Sequence, residues 1–163
     1  MSTQLFCCCR NAVVLGLLYV CAVSPAFAAS IQHLLERDTP PPGVVFEIVE
    51  GNRDALSWAL PKVQQHVQEL RKRFPGLAVA VVSHGFEQFA LQIKNANSAG
   101  KAHQAVKDLM NQDAVPVHVC GGHAAMYDIA PNEFPDYVDV APSGPAQIRA
   151  YRSLGYELVI VAE

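Results

Sequence analysis

Short apolar segments alternate along the chain with longer segments in which apolar residues recur every three or four positions. A short run rich in β-branched residues is typical of a buried strand, whereas the three-to-four spacing is typical of a helix with one apolar face. The pattern predicts five strands, over Val44–Val49, Leu77–Val82, Val115–Cys120, Tyr137–Val140 and Tyr156–Val161. It predicts four helices, over Trp58–Phe74, Ala99–Asn111, His123–Ile129 and Ala146–Leu154.

Proline and glycine residues set most of the boundaries between these elements. Pro75-Gly76 ends the first helix and Gly155 ends the last one. Pro61 is expected in the first turn of its helix, where its missing N–H costs least. The segment Phe86–Ile93 is apolar without a clear period and is left unassigned, and Pro131–Pro135 is predicted to be a loop.

Strands that alternate with helices through short turns predict an α/β fold with a parallel sheet that is covered on both faces. In an open parallel sheet, ligands bind beyond the carboxyl ends of the strands. The residues expected at that edge are Glu50, Asn52, Ser83, His84, Cys120–His123, Ser143 and Gly144.

The first 28 residues differ in composition from the rest of the chain. Twenty of them are apolar, four are cysteines, and Arg10 is the only charged residue. The apolar run Asn11–Val23 is followed by Ala26-Phe27-Ala28, which supplies the small residues that a signal peptidase accepts. The segment 1–28 is therefore predicted to be a signal peptide that directs the protein to a bacterial periplasm. The run falls short of the roughly 20 residues that span a bilayer, so no stable membrane anchor is expected after cleavage.

The mature chain is predicted to consist of an extended N-terminal arm, 29–43, and a single domain, 44–163. The arm contains Pro40-Pro41-Pro42, which cannot donate backbone hydrogen bonds to a helix or a sheet. The mature chain has 11 basic and 15 acidic side chains. This acidic balance argues against nucleic-acid binding, which relies on a basic surface.

Signal cleavage changes the number of cysteines from five to one. Cys7, Cys8, Cys9 and Cys21 leave with the signal peptide, and Cys120 stays. Exported proteins normally use cysteines in pairs as disulfides, and a single thiol cannot close an intramolecular bridge. Cys120 is therefore either an inert buried residue or a reactive thiol.

The residues around Cys120 favour thiol chemistry. Cys120 lies at a predicted junction between a strand and a helix, where backbone N–H groups favour the thiolate. Gly121 and Gly122 leave the approach to the sulfur open, and their amides are expected to stabilise negative charge on the terminal sulfur of a Cys120 persulfide. His123 lies within one helical turn and is expected to tune the thiol or transfer a proton. His84, after the neighbouring strand, is a further candidate.

A metal site is the alternative at the same position. His118, Cys120, His123 and Met126 form a set of soft and imidazole ligands of the type that suits copper. Strand and helix spacing places His118 two residues back from the edge and Met126 one turn into the helix, which weakens this interpretation. The chain contains no phosphate-binding glycine loop or nucleophile-elbow motif, and no cofactor is predicted.

The order and spacing of several segments resemble a known family. Trp58 follows the first strand, and the other segments are Val81–Gly85, Val117–His123, Val138–Gly144 and Gln147–Tyr156. Together they are similar to the DsrE/DsrF family of small sulfur-relay proteins, over about Val44 to Val161. The resemblance implies a three-layer α/β/α sandwich around a mainly parallel sheet of about five strands. It also implies assembly into homo-oligomers, such as trimers or hexamers, and Cys120 matches the position of the family's active cysteine.

Three functions are therefore expected, in decreasing order of preference. The first is an exported sulfur carrier or sulfurtransferase that holds sulfane sulfur as a persulfide on Cys120 and exchanges it with a small sulfur donor or a partner thiol protein. The second is a periplasmic copper-type binding module that uses the four ligands named above. The third is a non-catalytic oligomeric binding protein in which Cys120 is buried.

Overall fold

The computed structural model describes residues 28–163, which contain one five-stranded sheet. The predicted signal peptide lies, apart from Ala28, outside the described residues. The strands are β1 (Gly43–Ile48), β2 (Val79–Ser83), β3 (Val117–Cys120), β4 (Asp139–Ala141) and β5 (Tyr156–Val161). Their order is β4-β3-β2-β1-β5, and all four pairs are parallel. The predicted α/β class and parallel sheet are confirmed.

Helices cover both faces of the sheet. They are α1 (Ile31–Leu35), α2 (Leu56–Arg73), α3 (Gly100–Asn111), α4 (Gly121–Ala125) and α5 (Gly144–Ser153). Alternating side chains of β1 enter two different cores, because successive residues of a strand point to opposite faces. Phe46 belongs to a large core with residues of α1, α2 and α3, whereas Val45 belongs to a small core with Ile148 of α5. The result is a three-layer sandwich.

The segment before β1 is only partly extended, which corrects the prediction of an extended arm. Ser30 caps α1 by accepting a hydrogen bond from the His33 N–H at 3.1 Å, and Leu34 is fully buried in the large core. The Ala29 N–H also donates to the Leu158 carbonyl of β5 at 2.7 Å. Burial of an apolar side chain and a local cap therefore outweigh the polar composition that suggested a solvated arm.

Helices α2, α4 and α5 each begin two residues earlier than predicted. A 3-10 helix over Arg53–Ala55 leads directly into α2, so that Pro61 lies in the second turn of α2 rather than the first. Helix α4 begins at Gly121, directly after β3, and ends at Ala125. Asp128 then adopts a positive φ of 55°, which a continuing α-helix does not allow.

The unassigned apolar segment forms a 3-10 helix over Phe86–Leu91. Further 3-10 helices cover Ile93–Asn95 and, within the predicted loop, Pro131–Glu133. A helix with three residues per turn does not produce the amphipathic pattern of an α-helix, and for this reason no clear period is visible in this segment. Between residues 28 and 163, no helix combines the length and apolar character needed to cross a membrane.

Candidate functional site

Cys120 is the last residue of β3 and the N-terminal cap of α4. Its backbone is extended, and its Sγ accepts a hydrogen bond from the His123 N–H at 3.3 Å. A capping serine or asparagine would use its side-chain oxygen in the same way. The side chain is 6% exposed and forms no disulfide. The sulfur thus takes the place of the oxygen that usually caps a helix.

The connections that follow the adjacent strands β3 and β4 lie on opposite faces of the sheet. The connection after β3 enters α4, whose Ala124 packs into the large core. The connection after the neighbouring strand β4 enters α5, whose Ile148 packs into the small core on the opposite face. Adjacent strands whose connections diverge in this way leave a crevice at their carboxyl ends, and open α/β sheets bind ligands there. Cys120 therefore lies at the topological switch point.

Gly121 and Gly122 allow α4 to lie close to the end of β4. A Cβ atom on Gly121 would lie 3.2 Å from the Ala141 carbonyl oxygen, and one on Gly122 would lie 3.0 Å from the Pro142 oxygen. The Gly122 N–H already donates to the Pro142 oxygen at 3.0 Å. The amide that donates to Cys120 Sγ is that of His123, whereas the amide of Gly122 is bonded to the loop after β4.

Gln88 connects Cys120 to His123. It lies on the 3-10 helix Phe86–Leu91 and is fully buried. Its Oε1 accepts a hydrogen bond from the Cys120 N–H at 2.7 Å, and its Nε2 lies 3.0 Å from Nδ1 of His123. The imidazole of His123 is thus held by Gln88, whereas its backbone amide contacts the thiol.

Three aromatic rings surround the His123 imidazole. The ring centroids of Phe86, Phe89 and Tyr127 lie 5.7, 5.2 and 5.4 Å from that of His123. Phe86 and Tyr127 meet the imidazole edge to face, a geometry that the aromatic quadrupole favours. These contacts fix the plane of the imidazole in addition to the hydrogen bond from Gln88.

A second fully buried polar residue, Glu87, joins the ends of β1 and β2. Its Oε1 accepts hydrogen bonds from the Ser83 hydroxyl at 2.7 Å and the Gly85 N–H at 2.9 Å. Its Oε2 accepts one from the Glu50 N–H at 2.7 Å. Glu50 and Ser83, both predicted at the carboxyl edge, are therefore linked through a carboxylate that ties two loops together beside the candidate site.

His84 also lies at this edge, and its imidazole is bonded to Glu47. Its Nε2 donates to Oε1 of Glu47 at 2.8 Å. The start of α5 packs against it, since a Cβ on Gly144 would lie 2.5 Å from the His84 Cβ. These contacts give His84 a structural role between β1, β2 and α5.

The four residues of the predicted metal set are not brought together. His118 Nε2 lies 2.8 Å from the Tyr151 hydroxyl on α5, and burial lowers the pKa of His118 although Asp139 opposes this effect. Nδ1 of His123 is occupied by Gln88, and Met126 is 78% exposed. Over residues 28–163, no three His, Cys, Asp or Glu side chains cluster in a way that would hold a metal ion. The strand and helix spacing that weakened the copper interpretation accounts for this separation.

Glu87 and Gln88 were not identified from the sequence. Both stand in Phe-Glu-Gln-Phe-Ala-Leu, an apolar segment directly after a predicted strand. Polar side chains inside such a segment are a usable signal, because a buried polar group requires hydrogen-bond partners. The sequence does not reveal those partners, which come from β3 and from the loops after β1 and β2.

The comparisons with known proteins identify similar structures. No family model and no curated protein matches the chain. A protein of unknown function from Methanobacterium thermoautotrophicum, MTH1491, matches with a TM-score of 0.54 and 18% identity, over 72% of this chain and 96% of that one. BT1422 from Bacteroides thetaiotaomicron, also of unknown function, matches with a TM-score of 0.52 and 9% identity, over 74% and 95%. The ychN protein from E. coli has a TM-score of 0.49 at 12% identity, over 72% and 98%.

The first two matches show the class of fold. They show that proteins of very different sequence share the fold of this chain, an α/β fold around a five-stranded parallel sheet. At these levels of identity the likeness concerns the fold alone, and the function has to be argued from the site.

Proposed function

We propose that this protein is an exported sulfur carrier of the DsrE type, which holds sulfane sulfur as a persulfide on Cys120. One observation carries the proposal: the single cysteine of the mature chain caps α4 at the topological switch point, with the His123 N–H on its sulfur. The His123 N–H can donate to the sulfur of Cys120 when the thiol is ionised. The thiol also lies at the edge where open parallel sheets bind ligands.

The transfer is an exchange between sulfur atoms. The Cys120 thiolate attacks the outer sulfur of a donor persulfide, R–S–SH, so that a new S–S bond forms on Cys120 while the S–S bond of the donor breaks. The donor leaves as the thiolate R–S⁻, and the proton stays on the transferred sulfur. An acceptor thiolate repeats the exchange and releases Cys120. No external oxidant or reductant takes part, because one S–S bond replaces another.

The surroundings of the sulfur leave an approach on the side of Gly122. A Cβ atom on Gly122 would lie 4.0 Å from Cys120 Sγ, and Gly122 is exposed. A larger residue at position 122 would stand between the sulfur and solvent. The glycine therefore keeps open a path for a small donor or for the thiol of a partner protein, although Cys120 itself is mostly buried.

Export and oligomer formation belong to the same proposal. The signal-like segment 1–28 supports a periplasmic location, where persulfide donors and thiol proteins would be the partners. Assembly into a homo-oligomer, as the resemblance to the DsrE/DsrF family implies, would cover exposed apolar residues such as Val49 and Ile160, which are 51% and 55% exposed.

Intact mass measurement of the mature protein tests the sulfur chemistry. The protein, beginning at Ala29, is incubated with glutathione persulfide, desalted and weighed before and after treatment with dithiothreitol. We expect a gain of one sulfur atom that dithiothreitol removes, and no gain in the Cys120→Ser variant. Because Cys120 is the only cysteine after residue 28, the modified site is unambiguous.

Alkylation with iodoacetamide distinguishes a reactive thiol from an inert one. Iodoacetamide should alkylate Cys120 of the native protein at a rate that rises with pH as the thiolate forms. The proposal is overturned if the native protein gains no sulfur, or if Cys120 reacts with iodoacetamide only after the protein is unfolded.

A further inference from the structure

The side chain of Gln88 makes two hydrogen bonds whose directions are fixed by chemistry. A backbone N–H can only donate, so the Cys120 N–H requires the amide oxygen of Gln88, at 2.7 Å. The amide NH₂ group of Gln88 then points to Nδ1 of His123, at 3.0 Å. An NH₂ group can only donate, so Nδ1 must accept and carries no proton.

We infer that Gln88 is a positioning residue that holds His123 as the neutral imidazole with its proton on Nε2. The inference rests on the proposed function, to which it adds the protonation state of the imidazole beside the reacting thiol. A protonated Nδ1 would place two donors against each other and would remove the hydrogen bond to a fully buried amide. Losing a bond to a buried polar group is costly, so the neutral tautomer is favoured.

This arrangement changes the role expected for His123. An imidazolium paired with the thiolate would be the arrangement of a cysteine and histidine that activate each other. Here the donor to Cys120 Sγ is the backbone amide of His123, at 3.3 Å, and the ring is turned toward Gln88 and the aromatic residues. The imidazole is a neutral hydrogen-bond donor through Nε2, and the group of His123 that contacts the sulfur is its backbone amide.

The rigidity of Gln88 follows from its surroundings. The neighbouring residue Glu87 is anchored to Ser83, Gly85 and Glu50, and Phe89 packs in the large core. The 3-10 helix that carries Gln88 is therefore tied to the sheet on both sides of the amide. Because one amide bonds both Cys120 and His123, the position of the thiol and the tautomer of the imidazole are set together.

The tautomer is measured by NMR on the mature, ¹⁵N-histidine-labelled protein in the absence of any sulfur donor. Long-range ¹H–¹⁵N correlations distinguish the protonated from the unprotonated ring nitrogen, and His123→Phe assigns the signals. We expect an unprotonated Nδ1 and a protonated Nε2 in His123. A protonated Nδ1 at neutral pH would overturn the inference.

Variants of Gln88 separate positioning from simple packing. In Gln88→Glu, both side-chain oxygens accept, so the Cys120 contact can remain while Nδ1 of His123 must donate. We expect the proton to move to Nδ1 or the ring to become charged, and a second inflection to appear in the pH profile of Cys120 alkylation. Unchanged His123 signals in this variant would contradict the inference.

Gln92 offers a matched control. It is also a buried glutamine, 1% exposed, and its Nε2 donates to Glu133 at 3.2 Å, away from Cys120. Gln92→Met should leave the His123 signals and the alkylation profile as in the wild type, whereas Gln88→Met should change both. Equal changes in the two methionine variants would show a general packing effect and would overturn the specific role of Gln88.

The two proposals can fail separately. If the wild-type protein gains no sulfur but His123 has the expected tautomer, sulfur transfer is wrong and the Gln88 arrangement stands. If sulfur is gained but Nδ1 is protonated, the sulfur carrier stands and the role of Gln88 is wrong. Should Gln88→Glu fail to fold, the wild-type NMR signals still decide the tautomer.

Discussion

Single buried polar residues hold the candidate site together. Glu87 and Gln88 are adjacent in sequence and both are fully buried, but their side chains form hydrogen bonds with different segments of the chain. Glu87 connects the loops after β1 and β2, and Gln88 connects the end of β3 to His123. Every buried side-chain nitrogen and oxygen in the described part of the chain has a hydrogen-bond partner. Loss of one such partner leaves a desolvated group without compensation.

Gly85 provides a test of the Glu87 cluster. A Cβ atom at this position would clash with the Glu87 carboxylate and would lie 2.6 Å from both the N and the O of Glu50. We expect Gly85→Ala to lower the free energy of unfolding by at least about 2 kcal/mol, because overpacking and a displaced buried carboxylate both contribute. Urea denaturation followed by circular dichroism measures the change.

The matched control for this substitution is Gly51→Ala. A Cβ on Gly51 would meet no atom within 4 Å, so its effect should stay within about 0.5 kcal/mol of the wild type. If the two alanine variants were equally stable, the close approach of Gly85 to the Glu87 cluster would not matter to folding.

At the scale of secondary structure, the local sequence pattern determines the bounds of some elements, whereas tertiary contacts determine those of others. The pattern located α3 and β5 with almost the bounds that the structure has, because each has a regular apolar face. It placed the starts of α4 and α5 two residues late, because the residues that open them, Gly121-Gly122 and Gly144-Pro145, are weak helix formers. It also left Phe86–Leu91 unassigned, where tertiary bonds to Glu87 and Gln88 define the 3-10 helix.

Pro61 is the one proline within α2 and gives a prediction for this element. It lies in the second turn, on the exposed side, and lacks the N–H that would bond the Ser57 carbonyl. We expect Pro61→Ala to raise the free energy of unfolding by about 1 to 3 kcal/mol, as measured by urea denaturation.

Gln68, exposed on the same helix, serves as the reference position. Gln68→Ala exchanges one good helix former for another and should change stability by less than about 0.5 kcal/mol. A Pro61→Ala variant no more stable than Gln68→Ala would mean that α2 accommodates the proline without cost.

On the scale of the whole molecule, buried histidines couple stability to pH. His103 on α3 donates from Nε2 to the Ala90 carbonyl at 3.0 Å, and its Nδ1 contacts the Tyr137 hydroxyl. Burial lowers the pKa of His103 below its ordinary value of 6.5, and burial does the same for His118. Both residues therefore stay neutral in the folded protein at a pH where the unfolded chain is already protonated.

The sign of the pH dependence follows from this difference. Below pH 6.5 the unfolded chain binds protons that the folded protein does not, so the free energy of unfolding falls as the pH falls toward the lowered pKa values. We expect urea denaturation between pH 7 and pH 5 to show this loss. His103→Gln should reduce the slope, although it also lowers stability at neutral pH.

The control for this measurement is His33→Gln, since His33 is exposed on α1. This variant should keep the pH slope of the wild type. If His103→Gln also kept that slope, the burial of His103 would not be a source of the pH dependence.

The amino-acid sequence by itself determined the α/β class, the parallel sheet and the position of Cys120 at its carboxyl edge. It could do so because strand and helix periodicity are local properties, and because parallel strands necessarily end at the same edge. The Cys120–His123 spacing also placed the two residues within one turn, as the cap on Sγ shows.

Only the tertiary structure decided which groups touch the thiol. Gln88, 32 positions before Cys120, accepts a hydrogen bond from the Cys120 N–H. Pro142, in the loop after β4, accepts one from the Gly122 N–H. The same geometry separates His118 and Met126 from Cys120, although all three stand within nine consecutive residues. Hydrogen bonds between distant segments depend on strand order and on which face each connection takes, and neither is encoded in local periodicity.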